Sequence, residues 1–406
     1  MSKPVPIPLE DAQARLLQLA GPLPVERVDV EGAIGRYLAE PIAARRTQPA
    51  ADLSAMDGYA VAADDLAGPW QVVGESAAGH PFGGRLAAGQ AVRIATGAIV
   101  PADAQAIILQ EDIARQGDSL RLTGDPPVPP HKHIRPMGVD FAVGGQVLAA
   151  GVKLGPAQGA LAISAGHKHV PVRAMPKVAV IDSGDELAAE PDCCAPHQIP
   201  ASNGAMLAAM ARTLPCRVTR IGPVADTMEA LAAALDAARD ADVVVTSGGA
   251  SVGDHDLIKP ALAAWGAEID FWRVAIKPGK PILVATREQA GRRQIVLGLP
   301  GNPVSSHVTA YFFMLPLLRT LLGAARPLPL RFRVRLAAPI KANGARREFP
   351  RGTWDGEAVL PHSLQDSAAL AALSASNVLI DRPAHAPRAE AGEEVHAFLL
   401  ENGGLA

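Results

Sequence analysis

Apolar positions along the chain change texture near Pro176 and again near Arg326. Residues 8 to 20 place Leu9, Leu16, Leu17 and Ala20 at helical spacing. From Gln48 to about Asp140 the apolar runs shorten, as in Gln71–Val73 and Ala106–Leu109. Gly and Pro become frequent and no long helical period survives, which predicts a β-rich insert. The small-residue stretch GPAQGALAISAG, within 151–170, predicts a helix that rejoins the N-terminal one.

After Pro176 strand and helix patterns alternate. KVAVID (177–182) reads as a strand, Ser202 to Leu214 as a helix and CRVTRIGPV as a strand. Asp226-Thr227-Met228-Glu229 has capping-box spacing, with Asp226 as the cap of a helix to Arg239. Then follow a strand at 242–246, a helix from Asp256, strands near 269–274, 281–285 and 294–298, and a helix from about Pro303 to Leu322. This alternation predicts a doubly wound parallel sheet, with its strand-end loops collected along one edge. Beyond Arg326-Pro327-Leu328-Pro329, RFRVRL alternates basic and apolar residues, and Val378-Leu379-Ile380 reads as a further strand, so a small β domain closes the chain. The expected organisation is a helical N-terminal domain (1–47 with 141–174), an inserted β-rich domain (48–140), a doubly wound α/β domain (175–326) and a C-terminal β domain (327–406).

Composition narrows the function. A chain of 406 residues exceeds one ordinary core. With 49% hydrophobic and 19% charged residues it suits a globular protein. A net charge of −3 argues against nucleic acid as the main partner. Cys193, Cys194 and Cys216 make an odd set without metal spacing, and the N-terminus MSKPVPIPLEDAQ lacks a signal peptide's apolar core, so a reduced cytoplasmic setting is expected. The most apolar stretch, Val308 to Leu318, is too short to span a bilayer, so no membrane role is expected.

Four strand-end loops carry the candidate chemistry: DSGDEL (182–187), TSGGASVGDHD (246–256), AIKPGKP (275–281) and GLPGNPVSS (298–306). The second poses a conflict. Ser247, Gly248, Gly249, Ser251 and Gly253 let backbone amides approach a phosphate, yet Asp254 and Asp256 repel one. A cation resolves it. Asp185, Glu186, Asp254 and Asp256 are hard oxygen ligands of the kind Mg²⁺ takes, although Asp256 serves equally as a helix cap. Lys277 and Lys280 straddle Pro278-Gly279, two ammonium groups without intervening acids, which suits an anion. Behind Pro300, Gly301 and Asn302, Ser305 begins a helix whose free amides face the same place.

TSGGASVGDHDLIK, AIKPGKP and GLPGNPVS together resemble the molybdopterin molybdenumtransferase family, the bacterial MoeA type and the E domain of gephyrin. SAMDGYA (54–60), IATGAIVP (94–101), GVDF (138–141) and DSGDEL extend the resemblance over nearly the whole chain. It implies a four-domain homodimer that binds adenylylated molybdopterin and replaces the adenylate with molybdate, releasing AMP. It also implies an upstream molybdopterin adenylyltransferase and downstream cofactor-transfer proteins as partners. By the same resemblance Lys277, Lys280, Ser305 and Arg351 face the oxyanion, and Glu186, Asp226 and Asp256 form the acidic part where Mg²⁺ is expected. Asp57, Thr96 and Asp140 reach the cleft from the N-terminal half, across the dimer. The family's glycine and histidine beside the C-terminal serine are here Asp366 and Ala368, so Ser367 competes with Ser374 for that place. His131-Lys132-His133 and His167-Lys168-His169 read as solvated loop charge.

Two other functions compete. Adenylyl transfer to molybdopterin needs only the α/β domain, so the other domains argue against it. A peptide-binding scaffold need not keep lysines, acids and arginine together.

Overall fold

The computed structural model describes residues 6–400 apart from 63, 65, 249–256, 280 and 290. The α/β region is built on a six-stranded sheet ordered 217–224, 177–183, 243–247, 292–299, 281–289, 268–273. The first four strands run parallel. Strand 281–289 is antiparallel to both its neighbours, so the sheet is mixed and not wholly parallel. The cause is local. Only residues 290 and 291 separate Gln289 from Arg292, too few for a crossover, so the chain turns straight back.

Helices cover both faces of this sheet, which explains why the central strand Val243–Ser247 is buried at every position. Helices α1 (Leu9–Leu19), α2 (Pro156–Ser164) and α3 (Ser202–Arg212) come first in the chain. They are followed by α4 (Met228–Ala237), α5 (Ile258–Ala264), α6 (Pro303–Thr309) and α7 (Leu315–Leu321). One core holds Leu207 of α3, Val308 of α6 and Leu318 of α7, while α4 and α5 pack through Leu231, Leu235 and Leu262 on the other face. A π-helical turn, 310–314, joins α6 to α7. Pro316 lies just beyond it, and a proline there removes a helical donor and crowds the carbonyl four residues back.

Helix α1 does not join α2. Its Leu9, Ala12 and Leu16 are buried in the α/β core, whereas Ala162 of α2 packs with Val30, Leu38 and Val170 in a separate small cluster. The stripe of apolar residues on α1 finds a larger apolar surface on α7 than the small-residue α2 offers.

The insert forms a six-stranded sheet ordered 106–109, 58–61, 90–94, 70–76, 119–122, 113–116, and Gln48 pairs with Phe141 where the chain leaves and returns. The C-terminal strands close into a barrel. Among the described residues no helix is long and apolar enough to cross a membrane.

Candidate functional site

Register places the loops. Asp182 lies opposite Ser247 and Ser247 opposite Leu299, so the loops after these three strands start side by side. Two glycines let them touch. Gly248 has φ +95°, and a Cβ there would sit 2.6 Å from the Ser183 carbonyl oxygen. The nearest atom to a Cβ on Gly301 is the Gly248 Cα, at 3.8 Å. Asn203, which sequence reading missed, ties the loops together: its Nδ2 donates to Ser247 Oγ at 3.0 Å and to the Gly301 carbonyl at 2.6 Å. The Asn-Gly pair opening α3 was the available signal.

Two cavities flank the start of α6. The first, about 360 Å³, is lined by Asp182, Glu186, Asn203, Ser247, Gly248 and Gly301 among others. It is acidic. Asp182 is 2% exposed, Arg220 Nη2 lies 3.4 Å from its Oδ2, and its Oδ1 has no partner. Burial raises its pKa, against the opposing pull of Arg220. Close by, the Asp226 amide donates to Asp185 Oδ1 at 3.0 Å. Although Asp226 is exposed at the surface, partial desolvation raises its pKa, the hydrogen bond with Asp185 pulls it back, and the charges of Asp185 and Glu186 push it up again. The cap of α4 is Thr227, whose Oγ1 accepts from the Ala230 amide at 3.2 Å, and not Asp226 as the spacing suggested. The side chain of Asp226 is therefore free of capping. Among the described residues no three His, Cys, Asp or Glu are placed to hold a metal.

The second cavity, about 420 Å³, lies between the α/β domain and the C-terminal barrel, with Lys277, Ser305, Glu348, Arg351, Asp366 and Ser367 in its wall. Arg351 is fully buried. Its Nη2 donates to the Leu364 and Asp366 carbonyls at 2.9 and 3.0 Å, and its Nε has no partner. Burial lowers its pKa and the Asp366 charge opposes that shift; a guanidinium stays charged regardless. Ser367 docks on the α6 start: its Oγ accepts from Asn302 Nδ2 at 3.1 Å and its carbonyl from the Val304 amide at 3.1 Å. Ser374 sits on the exposed side of the short 370–374 helix.

One expectation fails here. The cations do not converge without acids, because Lys277 Nζ donates to Glu348 Oε1 at 3.1 Å and Asp366 lines the same wall. The loop reading missed Glu348 because it lies in another domain, 71 residues away.

The remaining candidates divide. Gly249, Ser251, Gly253, Asp254, Asp256 and Lys280 lie outside the described residues. Helix α5 has Leu257 at its cap position. Asp57 Oδ1 accepts from the Thr96 amide at 2.7 Å and from Thr96 Oγ1 at 2.9 Å, and these bonds lower its pKa. The exposed Asp140 donates its amide to the Gln48 carbonyl at 3.1 Å. None of these three residues lines either cavity. Pro300 is buried behind Gly301. His167 is not solvated loop charge: it is 7% exposed, with Nε2 2.8 Å from the Ala43 carbonyl.

Comparison with known proteins adds three family matches along the chain. Residues 7–166 match the MoeA N-terminal region (domain I and II), 179–320 a probable molybdopterin binding domain, and 333–400 the MoeA C-terminal region (domain IV). A molybdopterin molybdenumtransferase from Haemophilus influenzae is 36% identical over 85% of each chain. One from Bacillus subtilis is 30% identical over 99% of this chain and 96% of its own. The crystal structure of the molybdopterin biosynthesis moeA protein from Pyrococcus horikoshii superposes with TM-score 0.83 at 27% identity, covering 97% of this chain and all of that one.

Proposed function

The chain belongs to the molybdopterin molybdenumtransferase family, enzymes of molybdenum cofactor biosynthesis, and on that premise we propose that it inserts molybdenum into adenylylated molybdopterin, consuming molybdate and releasing AMP. The observation that carries this reading is the pair of cavities of unlike charge on either side of the α6 start. A reaction that brings a nucleotide-bearing pterin to a dianionic oxyanion needs two anion sites that adjoin without merging.

In the first cavity the Ser247 hydroxyl and the Gly301 amide are donors for the adenylate phosphate. Gly248, whose own amide donates to the Leu299 carbonyl at 3.3 Å, keeps the wall free of a side chain. The acids beside it suit Mg²⁺, held by Glu186 and Asp256 with Asp226 adjoining. The like charges of Asp185 and Glu186 beside Asp226, which add to the desolvation that raises its pKa, support the fit. Such an ion, when bound, neutralises phosphate charge and polarises the bond to the leaving AMP. In the second cavity Lys277, Ser305, Arg351 and Ser367 bind and orient molybdate beside the dithiolene, with Lys280 completing the turn.

Asp57, Thr96 and Asp140 reach the cleft of a second copy in a homodimer, since they line neither cavity of their own chain. The enzyme works in the cytoplasm between a molybdopterin adenylyltransferase that supplies its substrate and the proteins that accept the finished cofactor. The net charge of −3 and the absence of a basic field favour no nucleic acid partner.

The test is AMP release from adenylylated molybdopterin, followed by chromatography while molybdate and Mg²⁺ are varied. Release that saturates with molybdate and needs Mg²⁺ is expected. Release indifferent to molybdate would overturn the insertion reading.

A further inference from the structure

Among the described residues, Glu348 is the one acid of the second cavity whose carboxylate is bonded to one of its cations. Its position is set from two sides. The short strand 347–348 pairs in parallel with 276–277, with Lys277 and Glu348 as register partners. The Arg347 amide donates to the Ala275 carbonyl at 2.9 Å and the Phe349 amide to the Lys277 carbonyl at 2.8 Å. From the barrel, Glu348 and Arg382 exchange backbone hydrogen bonds of 2.8 and 2.9 Å. Period-two alternation then sends neighbouring side chains elsewhere. Arg347 makes a two-pronged contact with Asp381, at 2.6 and 2.7 Å, and Phe349 is buried in the α/β core. Glu348 alone of the three turns toward Lys277. Asp366, the other acid in the wall, spends Oδ1 on the Ala368 amide at 2.8 Å.

The ion pair is partly open to solvent, with the Lys277 side chain 51% and that of Glu348 24% exposed. A pair so placed is weak and readily exchanged. Three residues further along the same segment, Arg351 faces the cavity from complete burial. One stretch of the C-terminal domain therefore supplies the fixed cation for an oxyanion and a carboxylate that competes with it.

The geometry points to Glu348 as a resident carboxylate that holds Lys277 in the empty site and that the oxyanion displaces, so that Glu348 limits the affinity of the site. This rests on the oxyanion reading of the second cavity. An incoming dianion takes the place of one carboxylate on Lys277 and then feels that carboxylate as a like charge nearby. Both effects weaken binding; the competition requires Lys277, whereas the like-charge repulsion does not.

The experiment is calorimetric titration of the full chain with molybdate alone, on wild type, Glu348→Gln, Lys277→Gln and the double variant. Glu348→Gln should bind molybdate about threefold to tenfold more tightly, the size expected of a half-exposed ion pair plus a nearby like charge. In the Lys277→Gln background the same change should have a smaller effect on the logarithm of affinity, because the competition is gone and only the like-charge repulsion remains. A merely structural role for Glu348 would weaken binding in both backgrounds. Should Glu348→Gln fold poorly, Glu348→Ala, which also removes the charge, carries the same expectation. Unchanged or weaker molybdate binding in folded Glu348 variants would overturn the inference while leaving the oxyanion site standing. No molybdate binding by the wild type or by either Glu348 variant would overturn the oxyanion reading itself, and this inference with it.

Discussion

The two cavities share the start of α6 but are made in different ways. The first belongs mainly to one sheet: Asp182, Ser247 and the residue before Pro300 lie in register on adjacent parallel strands, so its wall follows from strand order. The second spans a domain junction, where strand 276–277 of the α/β domain pairs with 347–348 of the C-terminal domain. Burial acts oppositely on the charges of each. In the first it makes carboxylates harder to ionise, whereas in the second it surrounds an arginine that cannot give up its charge. The acidic cavity thus suits a cation, and the junction cavity keeps a permanent positive charge in its wall.

The largest effect should come from breaking the junction cavity alone. Arg351→Gln removes the buried charge and leaves the Leu364 and Asp366 carbonyls to a shorter donor. Turnover at fixed molybdate should fall about a hundredfold to a thousandfold, the range seen when one preorganised donor to a reacting oxyanion is lost. The affinity for adenylylated molybdopterin should change by less than about threefold, since those carbonyls lie outside the first cavity. Steady-state kinetics against each substrate, with thermal melting to establish folding, decides it. Equal losses for both substrates would mean that the cavities act as one.

Mixing two inactive variants sharpens the comparison at an intermediate scale. Asp57 and Thr96 hold each other on the insert and line neither cavity of their own chain. After subunit exchange between Asp57→Ala and Lys277→Ala proteins, half the dimers are mixed, and each carries one intact site of two. About a quarter of wild-type AMP release should return if the insert completes the partner's cleft. No recovery despite exchange proven by native mass spectrometry would place both residues in a site made by one chain.

The same contrast explains what the sequence could reveal. Apolar runs such as Val243–Val245 are read directly, because a strand covered on both faces must be apolar throughout. Their glycine-rich ends follow, since Gly248 has no room for a side chain. The Lys277–Glu348 pair was not legible: its partners lie 71 residues apart in different domains, and no periodicity links them. The cap of α4 was misplaced by one residue, because Asp226 and Thr227 both suit that role and only the backbone decides between them. The antiparallel direction of strand 281–289, second from the edge, was hidden for a similar reason, as strand patterns carry no direction.

The smallest expected effect tests the acidic cavity without any substrate. The pKa of Asp226 is raised above its ordinary value of 3.8 in the folded protein, first by partial desolvation and further by the charges of Asp185 and Glu186, against a hydrogen bond with Asp185 that lowers it. A raised carboxyl pKa means the folded state binds the proton more tightly than the unfolded state. The stability this contributes is full below about pH 3.8 and is lost as the pH rises through the folded value. At neutral pH, then, ionised Asp226 adds a like charge to Asp185 and Glu186. Asp226→Asn removes that charge at every pH. Without divalent ions, the variant's Tm relative to wild type should rise by about a degree between about pH 4 and pH 7, a small figure because Asp226 is exposed and solvent screens its charge. Saturating Mg²⁺ at pH 7 should raise the wild type more than the variant and close the gap. Melting curves of both proteins at each pH, with and without Mg²⁺, measure this directly. A gap that ignores both pH and Mg²⁺ would reduce Asp226 to a solvated surface acid, and the unlike charge of the two cavities would then rest on the junction cavity alone.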